Sequence, residues 1–182
     1  MPVMPVWDKG PAEIVWGYGE SGAVYLGKTL GGAKLTMESN ASDINEDQAG
    51  DAAVDAVLTG SVMNLEVTLT RLSAAQLAAA LHTEVGADGT IPIENQIGCS
   101  LYDLSKQIVI KPICGNEVST DPSTWVLLYK CYPVVGLDFT WDKDTQRIVP
   151  MKFKVFVSQE SGYDGKFGQV GLESGSTEFG LP

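Results

Sequence analysis

Apolar and polar positions alternate along much of this chain, and the alternation marks strands. In residues 147–157 it is cleanest: Met151, Phe153, Val155 and Val157 oppose Lys152, Lys154 and Phe156, the two-residue period of a half-buried strand. Residues 33–38 and 62–70 repeat the pattern, and residues 13–18, 23–26, 107–111, 124–130 and 133–141 are shorter apolar runs of strand type. Residues 142–146, Asp-Lys-Asp-Thr-Gln, fit the connection of a hairpin between the last two strands. One segment has helical character instead. Ser73 followed by Gln76 forms a Ser-x-x-Gln capping box ahead of an alanine-rich run, which predicts a helix over about residues 74–83. Leu77 and Leu81, four residues apart, would face the core, and Gly86 lies just past the end.

Between these elements the pattern breaks. Prolines at positions 2, 5 and 11 make residues 1–11 an extended arm. Residues 39–60 are rich in Asn, Asp, Glu and Gln and read as a long polar loop, a feature that in a compact domain is functional or disordered. Residues 87–106 are a mixed loop, and the Gly- and Ser-rich segment 158–182 reads as a flexible C-terminal arm. Many strands around one helix predict a mainly β fold, a β-sandwich or barrel with a flanking helix, in a single domain of residues 1–182.

Composition narrows the function classes. The chain is 44% hydrophobic and 19% charged, a globular balance. Charges or Gly/Pro interrupt every apolar stretch before it could span a bilayer as a helix, and residues 1–8 lack the basic and apolar regions of a signal peptide, so no membrane partner and a cytoplasmic site of synthesis are expected. Twelve Lys and Arg against 23 Asp and Glu give a formal charge of −11, which argues against a protein that grips nucleic acid. It suits equally a soluble surface or a conduit along which DNA slides without sticking. Cys99, Cys114 and Cys131 are widely spaced and form no C-x-x-C pair, so three reduced thiols are expected rather than a zinc or redox site.

Several motifs carry chemistry on paper. Gly22–Thr29 matches the phosphate-binding pattern G-x-x-x-x-G-K-[ST], and residues 17–22 match G-x-G-x-x-G. Both need a helix immediately downstream, whereas Leu30-Gly31-Gly32 and an alternating strand follow. Asp43 opens an EF-hand-like run, but Gln48 stands at its sixth position and Val54 at its twelfth. His82 is the only histidine and sits at the end of the predicted helix, where a cation interacts favourably with the helix terminus. No nucleophile–base pair can be nominated, and Trp7, Trp16, Trp125 and Trp141 are expected in packing.

The stretch from Tyr25 to Gly60 resembles tail tube (major tail) proteins of tailed bacteriophages. The resemblance rests on the turn Gly27-Lys28-Thr29-Leu30-Gly31-Gly32, the strand that ends at Glu38, and then, in order, Asp43-Ile44, Asp47-Gln48, Gly50-Asp51, Val54-Asp55 and Thr59-Gly60. It implies a β-sandwich or barrel of the tail tube type that forms stacked six-fold rings, the conduit for DNA ejection. Asp43, Asn45, Glu46, Asp47, Gln48, Asp51 and Asp55, in the 39–60 loop, become candidates for contact between rings. The implied partners are copies of the chain itself, tail-tip or baseplate, tape-measure and terminator proteins, and in some tails a sheath. The implied place is the virion tail, with host cytoplasm during assembly. No catalytic residue, metal or cofactor is implied. Alternatives are another ring-forming tail component, such as a terminator, baseplate or decoration protein, a tube protein of the type VI secretion kind, or a nucleotide hydrolase built on Gly22–Thr29.

Overall fold

The computed structural model describes residues 11–20, 22–27, 29–45, 52–69, 73–94, 97–114, 117–135 and 149–171. These form a mainly β protein: one nine-stranded antiparallel sheet and one short helix. In chain order the elements are β1 (Ala12–Trp16), β2 (Val24–Tyr25), β3 (Thr29–Asn45), β4 (Ala53–Leu69), α1 (Ala74–Ala80), β5 (Lys106–Cys114), β6 (Glu117–Val118), β7 (Val126–Val135), β8 (Val149–Phe156) and β9 (Gly168–Val170). The sheet runs β2-β1-β5-β7-β8-β4-β3, with β6 added to β5 and β9 to β7.

The alternation read from the sequence sets which face is buried. On β8, Val149, Met151, Phe153 and Val155 are buried while Pro150, Lys152 and Lys154 are exposed. On β4, Leu65, Val67 and Leu69 are buried, and register pairs them with Phe153, Met151 and Val149 of β8. The same cluster takes in Ile14 and Trp16 of β1, Ile108 of β5, Leu128 and Cys131 of β7, and Leu26. These side chains form one continuous core on one face of the sheet, to which α1 adds Ala79 and Ala80. On the opposite face Val109, Leu127 and Tyr129 form a smaller cluster with Tyr18, Trp125 and Tyr163.

Two segments depart from the sequence expectation. Residues 39–45 and 53–60 are not loop but the outer halves of β3 and β4, each strand 17 residues long and paired without interruption from Leu35↔Leu65 out to Asn45↔Ala53, apart from bulges at Asn40/Ala41 and Ile44/Asn45. Polarity misled because every side chain from Ser39 to Asn45 and from Ala53 to Gly60 is exposed, so neither face is selected to be apolar and no period develops. Residues 158–171 are likewise not a free arm. Ser158 is fully buried, its N–H donates to the Lys166 carbonyl (2.8 Å), and Gly165 N–H returns to the Ser158 carbonyl (3.0 Å). β9 then pairs with Val126–Leu128 of β7. Gly168 is required there, because a β-carbon at that position would collide with the Leu127 carbonyl oxygen. The expected arms at 1–10 and 172–182 and the connection at 142–146 lie outside the described residues.

The helix matches its sequence signature at the start. Ser73 Oγ accepts from Gln76 N–H (3.2 Å) and Gln76 Oε1 accepts from Ser73 N–H (2.9 Å), so both halves of the capping box are present. It ends earlier than expected, at Ala80. His82 N–H donates to Ala79 and Thr83 N–H to Ala78, the paired bonds of a Schellman motif, with His82 rather than Gly86 in the left-handed position (φ 52°). The residues packed inward are Ala78, Ala79 and Ala80, while Leu77 and Leu81 are only half-buried.

Candidate functional site

The β3–β4 hairpin is the feature that the core does not account for. β3 is the terminal strand of the sheet, and β4 pairs with β8 only through Met63–Leu69. Among the described residues, therefore, the outer edge of β3 and the β4 edge over residues 53–62 pair with no strand. Open edges of this length are ready templates for another chain, and proteins that must stay apart blunt them with proline or lysine. Here residues 35–70 contain no proline, lysine or arginine.

Both faces of the hairpin also present apolar side chains to solvent. Leu58 is 62% exposed, Met37 55% and Val57 52%, and Leu35, Ile44, Val54 and Val62 are exposed as well. Scattered exposed hydrophobics are ordinary, but a run of them on one projecting element marks an interaction surface. Of the candidate residues, Asp43 and Asn45 lie on β3 and Asp55 on β4, where Asp55 pairs with Ile44 and its carboxylate accepts from Ala56 N–H (2.8 Å). All three are exposed. Glu46, Asp47, Gln48 and Asp51 lie outside the described residues. Sequence reasoning found the carboxylates but missed the apolar side chains between them. The signal was present in residues 53–58, Ala-Val-Asp-Ala-Val-Leu, a β-branched run without proline.

The face of the sheet opposite the main core carries the cations. Register places Lys34, Glu66, Lys152 and Val134 side by side across four strands, and Thr36, Asn64, Lys154 and Tyr132 in the next row. Lys152 reaches Glu66 at 3.2 Å, an exposed pair that contributes little to stability. Lys130 lies further along β7 and meets Glu160 at 2.6 Å. With Lys111, which lies over the Trp125 ring at 4.3 Å, five of the seven lysines among the described residues thus lie on this face of an acidic protein.

The chemical motifs dissolve in three dimensions. Within Gly22–Thr29, Val24 and Tyr25 form β2, Leu26 is buried in the core, and Thr29 opens β3. A strand therefore stands where a phosphate-binding loop requires a helix N-terminus. Gly17 and Gly19, with φ of 72° and 85°, belong to the turn after β1. No group of three or more His, Cys, Asp or Glu among the described residues is placed to hold a metal ion.

A cleft of about 390 Å³ opens beside α1, lined among others by Trp16, Val24, Ala79, His82, Glu84 and Lys106. Trp16 is 95% buried and its Nε1 has no hydrogen-bond partner among the described residues, while Lys106 lies over its ring at 5.3 Å and reaches Glu20 at 3.0 Å. The His82 ring is engaged in packing: Nε2 is 2.7 Å from the Leu104 carbonyl, the ring stacks on Tyr132 at 5.0 Å, and it meets Trp16 edge-on at 5.7 Å. Its left-handed backbone gives a test. His82→Gly should be more stable than His82→Ala by about 1 kcal/mol, because both lose the ring and only alanine keeps the strained φ. Paired thermal melts check the order.

The thiols differ in the way their burial dictates. Cys131 is fully buried and desolvation pushes its pKa far up, whereas Cys99 is exposed. Iodoacetamide at pH 8 should therefore alkylate Cys99 within minutes and leave Cys131 unmodified until denaturant is added, as read by mass spectrometry of the two peptides. No protein-family model matches the chain, and no curated protein matches it.

Proposed function

We propose that the chain is a structural protein that assembles with copies of itself, and that the assembly is the tail tube of a tailed bacteriophage, stacked rings through which genome DNA passes. The observation that carries the self-assembly reading is the β3–β4 hairpin, whose outer halves are exposed on both faces, apolar in many positions and, among the described residues, open along both edges. The tail tube reading adds the resemblance of residues 25–60 and a mainly β fold with one flanking helix. The β-sandwich or barrel type specific to such tubes belongs to the same proposal. The net charge of −11 suits a wall that DNA must pass without adhering.

The test is negative-stain microscopy and sedimentation velocity of the purified protein over a wide concentration range. Rings or tubes of uniform width are expected. A monomer that persists at the highest concentration counts against self-assembly. Micromolar ATP binding lost on Lys28→Ala would favour the nucleotide hydrolase instead.

A further inference from the structure

We infer that the hairpin of one copy docks on the lysine-bearing sheet face of another, so that the contact joins two different surfaces. The inference rests on the self-assembly reading and names its contact. The argument is one of charge. The hairpin carries Glu38, Asp43 and Asp55 among its described residues, and no cation occurs between Lys34 and Arg71. If two hairpins met edge to edge about a two-fold axis, two acidic segments would be brought together with no cation of their own between them, an arrangement that like charges destabilise. The complementary surface lies on the same chain. Lys34, Lys152 and Lys154 are exposed on β3 and β8 around a single carboxylate in their two rows, Glu66.

The hairpin brings apolar area as well as charge. On one face of the hairpin Ile44 and Val57 lie beside Asp55, and on the other Leu58 lies two pairs from Asp43. The receiving face offers exposed Val134 beside Lys152. Such a contact combines apolar side chains with charged ones, as specific interfaces do. Because it joins unlike patches, it can propagate from copy to copy, closing as a ring or continuing as a filament. It also weakens with added salt, since the charges lie near the surface.

Charge reversal tests it. Two double variants are made, Asp43→Lys with Asp55→Lys, and Lys152→Glu with Lys154→Glu, together with the quadruple variant that carries both. All positions are exposed, so circular dichroism and melting should match the unaltered protein. Each double variant is expected to raise the concentration for half-assembly by roughly tenfold or more, and the quadruple variant to recover most of that loss. If either double variant assembles like the unaltered protein, or the quadruple variant recovers nothing, the lysine face is not where the hairpin lands. If the unaltered protein itself stays monomeric, the self-assembly reading fails with it. Full assembly of the lysine variants alongside failure of the hairpin variants would assign the hairpin to a different protein or a different face.

Discussion

Replacing residues 41–59 by a two-residue Asn-Gly turn should leave a folded protein that no longer assembles. The graft point is set by the register, because Asn40 and Gly60 are already paired and an Asn-Gly turn closes a hairpin at such a position. Every removed residue in the described set is exposed, so none of these contributes to the core. Melting should move by a few degrees at most, as expected for the loss of solvent-exposed surface. Assembly, by contrast, should fall to the detection limit, because the shortened hairpin retains neither Asp43 and Asp55 nor Ile44, Val57 and Leu58. Sedimentation velocity beside the unaltered protein reads the outcome. Equal assembly would place the contact elsewhere, and an unfolded product would make the hairpin part of the folding unit.

Truncating Phe153 to alanine has the opposite profile. Phe153 is completely buried, lies between Leu65 of β4 and Pro133 of β7 in the register, and belongs to the cluster that joins the two ends of the sheet. Removing an aromatic ring from such a site costs about 3–5 kcal/mol, a large share of the ~5–15 kcal/mol that holds a domain of this kind together. At this chain length that corresponds to a fall in Tm of roughly 6–20 °C. Lys154→Ala, one residue on and exposed, should change stability by no more than about 0.5 kcal/mol. A Phe153→Ala melt within 2–3 °C of the unaltered protein would mean that the cluster is not the centre of the fold.

What could be read from the sequence depended on whether burial selected one face. Met151, Phe153 and Val155 show a period because their strand buries one side and wets the other, and the capping box at Ser73 is a local device that needs no tertiary knowledge. The outer hairpin has no buried side, so its apolar residues follow no period, and the polar residues among them resemble a loop. The segment after Ser158 failed for another reason. Its glycines suggest flexibility, whereas Gly168 is present because the Leu127 backbone passes too close for any side chain. At the candidate site the carboxylates Asp43 and Asp55 were legible as surface residues. The lysine face was not, because Lys34 and Lys152 are more than a hundred residues apart and only strand order brings them into one row.

The capping glutamine of α1 has a third task. Besides closing the box with Ser73, Gln76 donates its Nε2 to the Tyr25 carbonyl at 3.0 Å, which ties the helix to β2, the border strand at the other end of the sheet. A peptide oxygen at that margin is already spoken for, and the strand there is only two residues long. Among the described residues the two rims of the sheet thus differ: β2 is two residues long and tied to α1, whereas β3 runs for 17 residues with no strand beyond it. With a long template at one margin only, joining of sheets rim upon rim would stop after a single pair instead of running on as an amyloid-like fibre.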